Sequence, residues 1–431
     1  MVVGTALDLI DNHYVEPVDD RSLIEGAMKG LTSSLDPYSQ FVSLDDYEGL
    51  KTAMDQQFAG IGIYVSRPDA DGPVRVVTPL VGSPALAAGM RAGDRIVAVD
   101  GEDVRRADQG EVSSRLKGPI GTSVNITVRR EDDDGQTVTR DLRVRRATIN
   151  LEYVVGVRRG PDNGWTYRLE NHPDIAYVRV MQFGERTVDE LRSVIEKLLA
   201  QSQTLSGLIL DLRANGGGLL PSAVDVADLF LDTDGPLKGL VVSTRDRGGD
   251  INEQLFVGDD VLYPAELPLV VLVDHNSASA SEIVAAALQD HGRAMIVGTR
   301  SFGKGSVQSV LPLEAGRSAL KLTVARFFRP AGGNIHRGPD MTDDDTWGVT
   351  PEPRHLLELD EQQMAALVNR WQLSPFPYGT SPTDVVDPDD PDVVAPADPS
   401  VPLTQVDPHV SLAVSAVGVE ALAGPSGIPT D

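Results

Sequence analysis

The chain contains no cysteine. That excludes a disulfide framework, a four-cysteine zinc site and a cysteine nucleophile. Histidine is sparse: seven residues, scattered singly, with no HExxH or other paired spacing, so a metal enzyme is not expected. Basic residues are few, with Lys+Arg 38 against Asp+Glu 64 and a formal net charge of −26. Nucleic-acid binding needs clustered Lys and Arg, so nucleic acid is not an expected partner. Long apolar runs are missing too. Val410–Gly424 comes nearest to a membrane span but is short and carries Glu420. No secretory leader is visible: the first basic residue is Arg21, and Met1–Ile10 is interrupted by Asp8. The expectation is a soluble chain, working in the cytoplasm or exported by a signal outside this sequence.

What is present suffices for ordinary cores. Hydrophobic residues make up 41% of 431 positions, a length that suggests roughly two to four domains. Residues 1–57 read as helical, with Leu23, Ile24, Ala27, Met28 and Leu31 at helical spacing, a turn at Asp36-Pro37-Tyr38-Ser39 and a helix start at Ser43–Asp46. Residues 58–147 read as a compact β-rich module, with strands at Val74–Thr78, Arg95–Val99 and Ser123–Arg129 and tight turns at Gly93-Asp94 and Asp100-Gly101. Residues 148–371 alternate strand and helix, and their apolar strands predict an α/β sheet covered on both faces. Residues 372–431 hold eleven Pro and eight Asp but no Lys or Arg, and are expected to be disordered.

Three segments of the α/β region carry chemistry. Leu269–Val273 is a strand that runs through a short polar turn into a helix, and Ser277, Ser279 and Ser281 lie at the junction. A serine there is either a helix cap or an exposed nucleophile beside free backbone N–H groups. Ser301-Phe302-Gly303-Lys304-Gly305-Ser306-Val307-Gln308 places one of only seven lysines between two glycines. Glycines permit close backbone approach and hence burial, and a desolvated lysine can act as a base. Leu208–Leu212 is a strand that ends in Gly216-Gly217-Gly218, a turn suited to a phosphate or an oxyanion; the spacing of a phosphate loop is absent.

Several motifs together resemble the carboxyl-terminal-processing peptidases, or tail-specific proteases, over about residues 5–360. They are YVEPVDD…LIEGAMKGLTSSLDPYSQF, FAGIGIYV, SPALAAGMRAGDRIVAVDGEDV, LDLRANGGGLL, NSASASEIVAAALQDHGRAMIVGTRSFGKGSVQSV and LKLTVARFFRPAGGNIH. The resemblance implies a multidomain α/β protein: a helical N-terminal segment, a PDZ domain and a serine protease core of the crotonase-like or ClpP-like type. In the family the lysine follows the serine by 25 positions and a glutamine comes four later. This selects Ser279, Lys304 and Gln308, with Ser279 attacking, neutral Lys304 taking its proton and Gln308 orienting the lysine. The oxyanion hole maps to the N–H groups of Ala280 and Gly217, although Gly216 stands where the family usually shows proline.

Gly60-Ile61-Gly62-Ile63 maps to the carboxylate-binding loop and first peptide-pairing strand of the PDZ domain. Lys117 falls where relatives often carry a basic residue linked to PDZ-driven activation. The resemblance further implies polypeptide substrates with free C-termini, a homodimer built through the N-terminal segment, an adaptor protein in some settings, and no metal or organic cofactor. It places relatives in the periplasm, cell envelope or chloroplast lumen. A Ser-His-Asp triad using His275 or His291, an inactive PDZ scaffold and an acyl-CoA enzyme of the crotonase type are the rival readings.

Overall fold

The computed structural model describes residues 2–43, 56–67, 72–131, 134–201, 203–258, 261–313, 318–373, 376–378 and 401–423. The helix start expected at Ser43–Asp46 lies outside these residues beyond Ser43.

A five-stranded sheet forms the centre of the larger unit. Ile175–Val180, Gly207–Asp211, Leu269–Val273 and Met295–Gly298 run parallel in that order, and Val154–Val155 pairs antiparallel at the edge. The first three strands are buried at every position. Side chains alternate across a strand, so each strand divides its apolar residues between two cores. Ala176, Val178, Leu208, Leu210, Val271 and Val273 face a cluster filled by the helices Thr187–Ala200, Leu220–Asp228 and Ala280–Asp290. Ile175, Tyr177, Ile209, Val270, Leu272 and Val297 belong to a second cluster, closed by Leu403, Val410, Ala413, Ala416 and Val417.

That second cluster corrects the expected disorder of residues 372–431. Within that stretch, Leu403–Val406 and Pro408–Ala423 are helices, and the longer one packs on the sheet. The composition was averaged over acidic, proline-rich chain and apolar helix together, which hid the helix. A parallel sheet with two apolar faces requires a cover on each, and this helix supplies much of the second.

The same segment brings a charge into the interior. Arg213 is buried and binds Asp211 through Nε (2.9 Å) and Nη2 (2.5 Å). It also binds Asp407 through Nη1 (3.0 Å) and Nη2 (2.7 Å). Tyr177 donates its hydroxyl to Asp211 at 2.6 Å. Burial alone would lower the Arg213 pKa, but the two carboxylates hold it well above its ordinary value. Beside it, Trp371, in the helix Glu361–Leu373, stacks on the guanidinium of Arg179 at 3.8 Å.

A second sheet is built on the long strand Ser318–Phe328. It pairs with Ser306–Leu313, with Leu240–Arg245 and with the N-terminal strand Gln40–Val42, whose register sets Gln40 opposite Lys321. The β-rich module has its own sheet, Ile63–Ser66, Arg75–Pro79, Arg95–Val99, Ser123–Glu131 and Thr137–Arg145, around Val76, Ile96, Val112, Ile126 and Val128. A two-stranded ribbon, Gln57–Gly60 with Ala147–Asn150, stands at the module's entry and exit. No helix among the described residues is long and apolar enough to cross a membrane.

Removing one partner of a buried ion pair leaves an uncompensated charge. Asp407→Ala is therefore expected to cost about 3 kcal/mol or more, read as a lower urea midpoint at unchanged slope. A midpoint equal to wild type would show that the C-terminal segment does not hold Arg213.

Candidate active site

The site begins where Leu269–Val273 leaves the sheet. Asp274 is buried, and its Oδ1 accepts the N–H groups of Ala214 (2.9 Å) and Asn276 (3.0 Å), joining this turn to the one after Gly207–Asp211. Three serines follow, and their surroundings separate them. Ser277 is buried; its Oγ donates to the Leu212 carbonyl at 2.9 Å and accepts the Asp274 N–H at 2.9 Å. Ser281 is buried and donates to the Asn215 carbonyl at 2.8 Å. Both hydroxyls are structural. Ser279 is half-buried and adopts φ 56, ψ −114, a backbone conformation rare for a residue with a Cβ. Such strain costs on the order of 1–3 kcal/mol and lasts only where the surroundings enforce it.

Enforcement comes from Glu282, one turn into the helix Ala280–Asp290. Its carboxylate is fully buried. Oε2 accepts the N–H of Ser279 (2.8 Å) and the N–H of Lys304 (2.8 Å). Oε1 accepts the Ser301 hydroxyl (2.6 Å) and the Gly303 N–H (2.7 Å). One carboxylate thus fixes the backbone of both the serine and the lysine selected from sequence. Its pKa is raised above the usual carboxylate value by burial, a rise these four donors only partly oppose. With every oxygen occupied by a donor, a proton on the carboxyl would displace one of them.

Lys304 is half-buried in a tight loop. Gly303 has φ +84, and a Cβ there would lie 2.7 Å from Arg337 Cβ; a Cβ on Gly305 would lie 2.3 Å from the His336 nitrogen. The flanking glycines admit the chain at 335–337 to the back of the lysine loop. Burial lowers the lysine pKa first, and the charge of Lys321 lowers it further; Glu282 acts in the opposite direction. Glu282 meets only the Lys304 backbone, and Asp290, the other acid on this helix, is paired with Arg329. Among the described residues, no hydrogen bond joins Ser279 Oγ to Lys304 Nζ; the Nζ lies 5.2 Å from the ring centroid of Tyr38. The Gln308 amide donates to Ser306 Oγ (2.7 Å) and Thr323 Oγ1 (3.4 Å), so it is bound to the strands and not to the lysine.

The glycine turn packs directly on the serine. A Cβ on Gly217 would lie 2.8 Å from Ser279 Cβ and 3.0 Å from the Ala280 nitrogen. Asn215 holds the turn: its Nδ2 donates to Val180 (2.8 Å), its Oδ1 accepts the Gly217 N–H (2.9 Å), and its carbonyl accepts the Ala278 N–H (3.0 Å). The Gly217 N–H is therefore engaged, whereas those of Ala280, Gly216 and Gly218 have no partner among the described residues. Gly216 is exposed, with open space where a Cβ would go, so glycine in place of proline is sterically neutral there. Of the rival histidines, His275 is exposed and pairs with Asn276, and His291 caps the far end of the helix, bound to the Leu240 carbonyl. Among the described residues, no cluster of His, Asp and Glu is placed to hold a metal ion.

In the β-rich module, Gly62 has φ +77, and a Cβ there would strike Ser83 Cβ at 2.5 Å, so the loop Gly60–Ile63 requires glycine. The strand Ile63–Ser66 that follows is, among the described residues, an edge strand paired with Arg75–Pro79 alone. The helix Gln109–Leu116 reaches it through Gln109 Nε2, which donates to the Val65 carbonyl (3.3 Å). Lys117 is exposed at the end of that helix.

Glu282 is not among the site residues that the sequence singles out. Its fourfold role needs the loop at 301–304 folded against the helix, and the local signal, a glutamate three residues after a candidate cap serine, is that of a capping box. Glu282→Ala would strand four donors, each costing about 1–3 kcal/mol when left unmade. The expected result is a fall in both urea midpoint and turnover. Glu282→Gln, which keeps the shape and one acceptor oxygen, should fall between the two. A Glu282→Ala protein with wild-type stability and turnover would contradict this assignment.

The sequence profile of peptidase family S41 matches residues 174–351, that of a PDZ domain residues 75–130, and that of the N-terminal domain of the activating protease CtpB residues 2–45. The carboxy-terminal-processing protease of Bartonella bacilliformis is 37% identical over 345 residues, which cover 79% of this chain and 73% of that protein. Protease CtpB of Bacillus subtilis is 32% identical, covering 78% of this chain and 65% of that protein. The chloroplastic carboxyl-terminal-processing peptidase 3 of Arabidopsis thaliana is 31% identical, covering 83% and 65%. Among solved structures, a photosystem II D1 C-terminal processing protease aligns with 30% identity over 83% of this chain and 92% of that one, with a TM-score of 0.44. With its PDZ domain, its peptidase core and this likeness along most of its length, the chain belongs to the carboxy-terminal-processing proteases, serine peptidases of family S41.

Proposed function

We propose that Ser279 is the nucleophile and Lys304 the general base of this peptidase. The observation that carries the reading is the shared Glu282 carboxylate, which holds both backbones while Ser279 alone of the three serines is strained and half-exposed. Ser279 Oγ attacks the scissile carbonyl carbon and its proton passes to neutral Lys304 Nζ. The lysine then gives that proton to the departing amine as the C–N bond breaks, leaving an acyl-enzyme ester. Water attacks the ester carbonyl carbon and gives a proton to Lys304; the ester C–O bond breaks, the lysine returns the proton to Ser279 Oγ, and the acid product leaves.

The Ala280 N–H, at the helix start, is one oxyanion donor. With the Gly217 N–H already on Asn215, the second comes from Gly216 or Gly218. Gln308 orients the lysine once Lys304 turns toward Ser279, so the present arrangement is a resting one. The core is read as crotonase-like, a parallel sheet with helices on its faces.

The PDZ domain supplies substrate choice. A free C-terminus would place its carboxylate on the N–H groups of Gly60–Ile63 and extend along the open edge of Ile63–Ser66, adding a strand to the sheet. Lys117 would carry that event toward the core. Polypeptides with free C-termini are the proposed substrates, in a compartment outside the cytoplasm, with or without an adaptor. The helix Val2–His13 buries no residue and exposes Val2, Val3 and Leu9, which supports a homodimer through the N-terminal segment.

Ser279→Ala should abolish cleavage of an unfolded protein and leave the fold intact; Ser281→Ala should be far milder. Because Lys304 must be neutral to accept a proton, turnover should rise with pH through its lowered pKa. The sign in stability is the same. Between the folded and unfolded lysine pKa values the unfolded chain binds more protons, so stability rises with pH in that window. Lys304→Arg and Lys304→Ala should both be nearly inactive, since guanidinium stays protonated. A Lys304→Arg enzyme keeping most of its rate would eliminate the lysine as base. For the PDZ domain, titration calorimetry should show an amidated peptide binding more weakly than its free acid; equal affinities would rule out carboxylate capture.

A further inference from the structure

Among the described residues, Lys304 Nζ has no hydrogen bond and no ion pair. Its partner is aromatic: the ring of Tyr38, with the centroid 5.2 Å away. An ammonium over a tyrosine face is attracted by the ring quadrupole. Tyr38 lies far away in sequence, on the turn after the N-terminal helix Asp20–Ser33, and the turn is built to hold the ring still. Asp36 Oδ1 accepts the N–H groups of Tyr38 (2.8 Å) and Ser39 (2.9 Å), and Oδ2 accepts the Ser39 hydroxyl (2.7 Å). Pro37 removes further backbone freedom.

The turn is then fastened to the core. Thr323 Oγ1 donates to Asp36 Oδ1 (3.1 Å), the Thr323 N–H donates to Ser39 Oγ (3.1 Å), and Gln40 pairs opposite Lys321. Thr323 Oγ1 also receives the amide of Gln308. Against the Tyr38 ring, His336 stands edge-on at 6.4 Å and 71°. The ring is thus packed between lysine and histidine, with its backbone clamped.

We propose that Tyr38 is a positioning residue for Lys304: its ring holds the lysine side chain at the N-terminal border of the site, which makes the docked segment 36–42 part of the catalytic apparatus. The proposal rests on the reading of Lys304 as the base. The ring attracts the ammonium and not the neutral amine, so it holds the lysine when charged and releases it in the form that can accept the serine proton. The charged and titratable groups around this pair are Glu282 and Lys321 for the lysine, Asp36 and Glu282 for the tyrosine, and Arg326 and Asp36 for His336. Burial and Lys321 favour the neutral lysine; the ring and Glu282 oppose them.

The test uses the full chain carrying Ser279→Ala, with lysines labelled with 13C at the ε carbon. Seven lysines give few signals, and Lys304→Arg assigns the one required. The ε-methylene of Lys304 should be shifted upfield by the ring current and show nuclear Overhauser contacts to the Tyr38 ring. Adding Tyr38→Leu, which keeps apolar bulk and removes the π face, should erase the upfield shift and lower the titration midpoint by about half to one pH unit. Tyr38→Phe should leave both unchanged. In enzyme with Ser279 intact, the pH–rate profile should move in the same direction for Tyr38→Leu and stay in place for Tyr38→Phe. Absence of ring contacts in the Ser279→Ala protein overturns the proposal even if Tyr38→Leu fails to fold, and so does a Tyr38→Leu titration that overlays the parent. An active Lys304→Arg enzyme with the ring contacts present would instead remove the base assignment and leave the contact standing.

Discussion

The site depends on one buried carboxylate. Glu282 sits in the first turn of its helix, where the unpaired N–H groups and the helix field favour negative charge. It receives four donors from two separate segments, the turn at Ser279 and the loop at Ser301–Lys304. Hydrogen bonds to a charged group contribute about 1.5–3 kcal/mol each, enough to hold Ser279 in its unfavourable backbone conformation and to fix the lysine loop alongside it. The same charge would defeat the lysine as a base if it met Nζ. It meets the backbone N–H instead, and burial and Lys321 keep the ammonium disfavoured.

The glycine turn has a comparable anchor in Asn215, which spans the adjacent strand end at Val180, the Gly217 N–H and the serine turn at Ala278. Two residues earlier, Arg213 reaches the opposite face of the sheet and meets Asp407. The chain that covers the second face thereby fixes the strand from which the turn emerges. On the proposed mechanism, nucleophile and base are held by the buried Glu282 and the glycine turn by the buried Asn215.

Much of this was legible in the sequence because period and composition report burial. The parallel strands are near-continuous apolar runs, and the glycines at 62, 217, 303 and 305 stand where a Cβ would collide or φ is positive. The three serines were not separable by local pattern. Their roles differ only in which carbonyls Ser277 and Ser281 reach across the fold, and only the family resemblance chose among them in advance. The helix Pro408–Ala423 was missed because its apolar residues were averaged with an acidic, proline-rich neighbourhood, although the two-faced strands already required a second cover. Tyr38 was read as a turn residue, since nothing in a local sequence shows that a turn will dock beside a lysine more than two hundred residues away.

On the proposed mechanism the Ser279 hydroxyl becomes acylated. Acid quenching of the enzyme during turnover of an unfolded protein substrate, followed by proteolytic mapping and mass spectrometry, tests it most directly. An acyl adduct is expected on the peptide containing Ser279, accumulating in the wild type and absent from Lys304→Arg. An adduct on another residue, or steady turnover with Ser279 never modified, would contradict it.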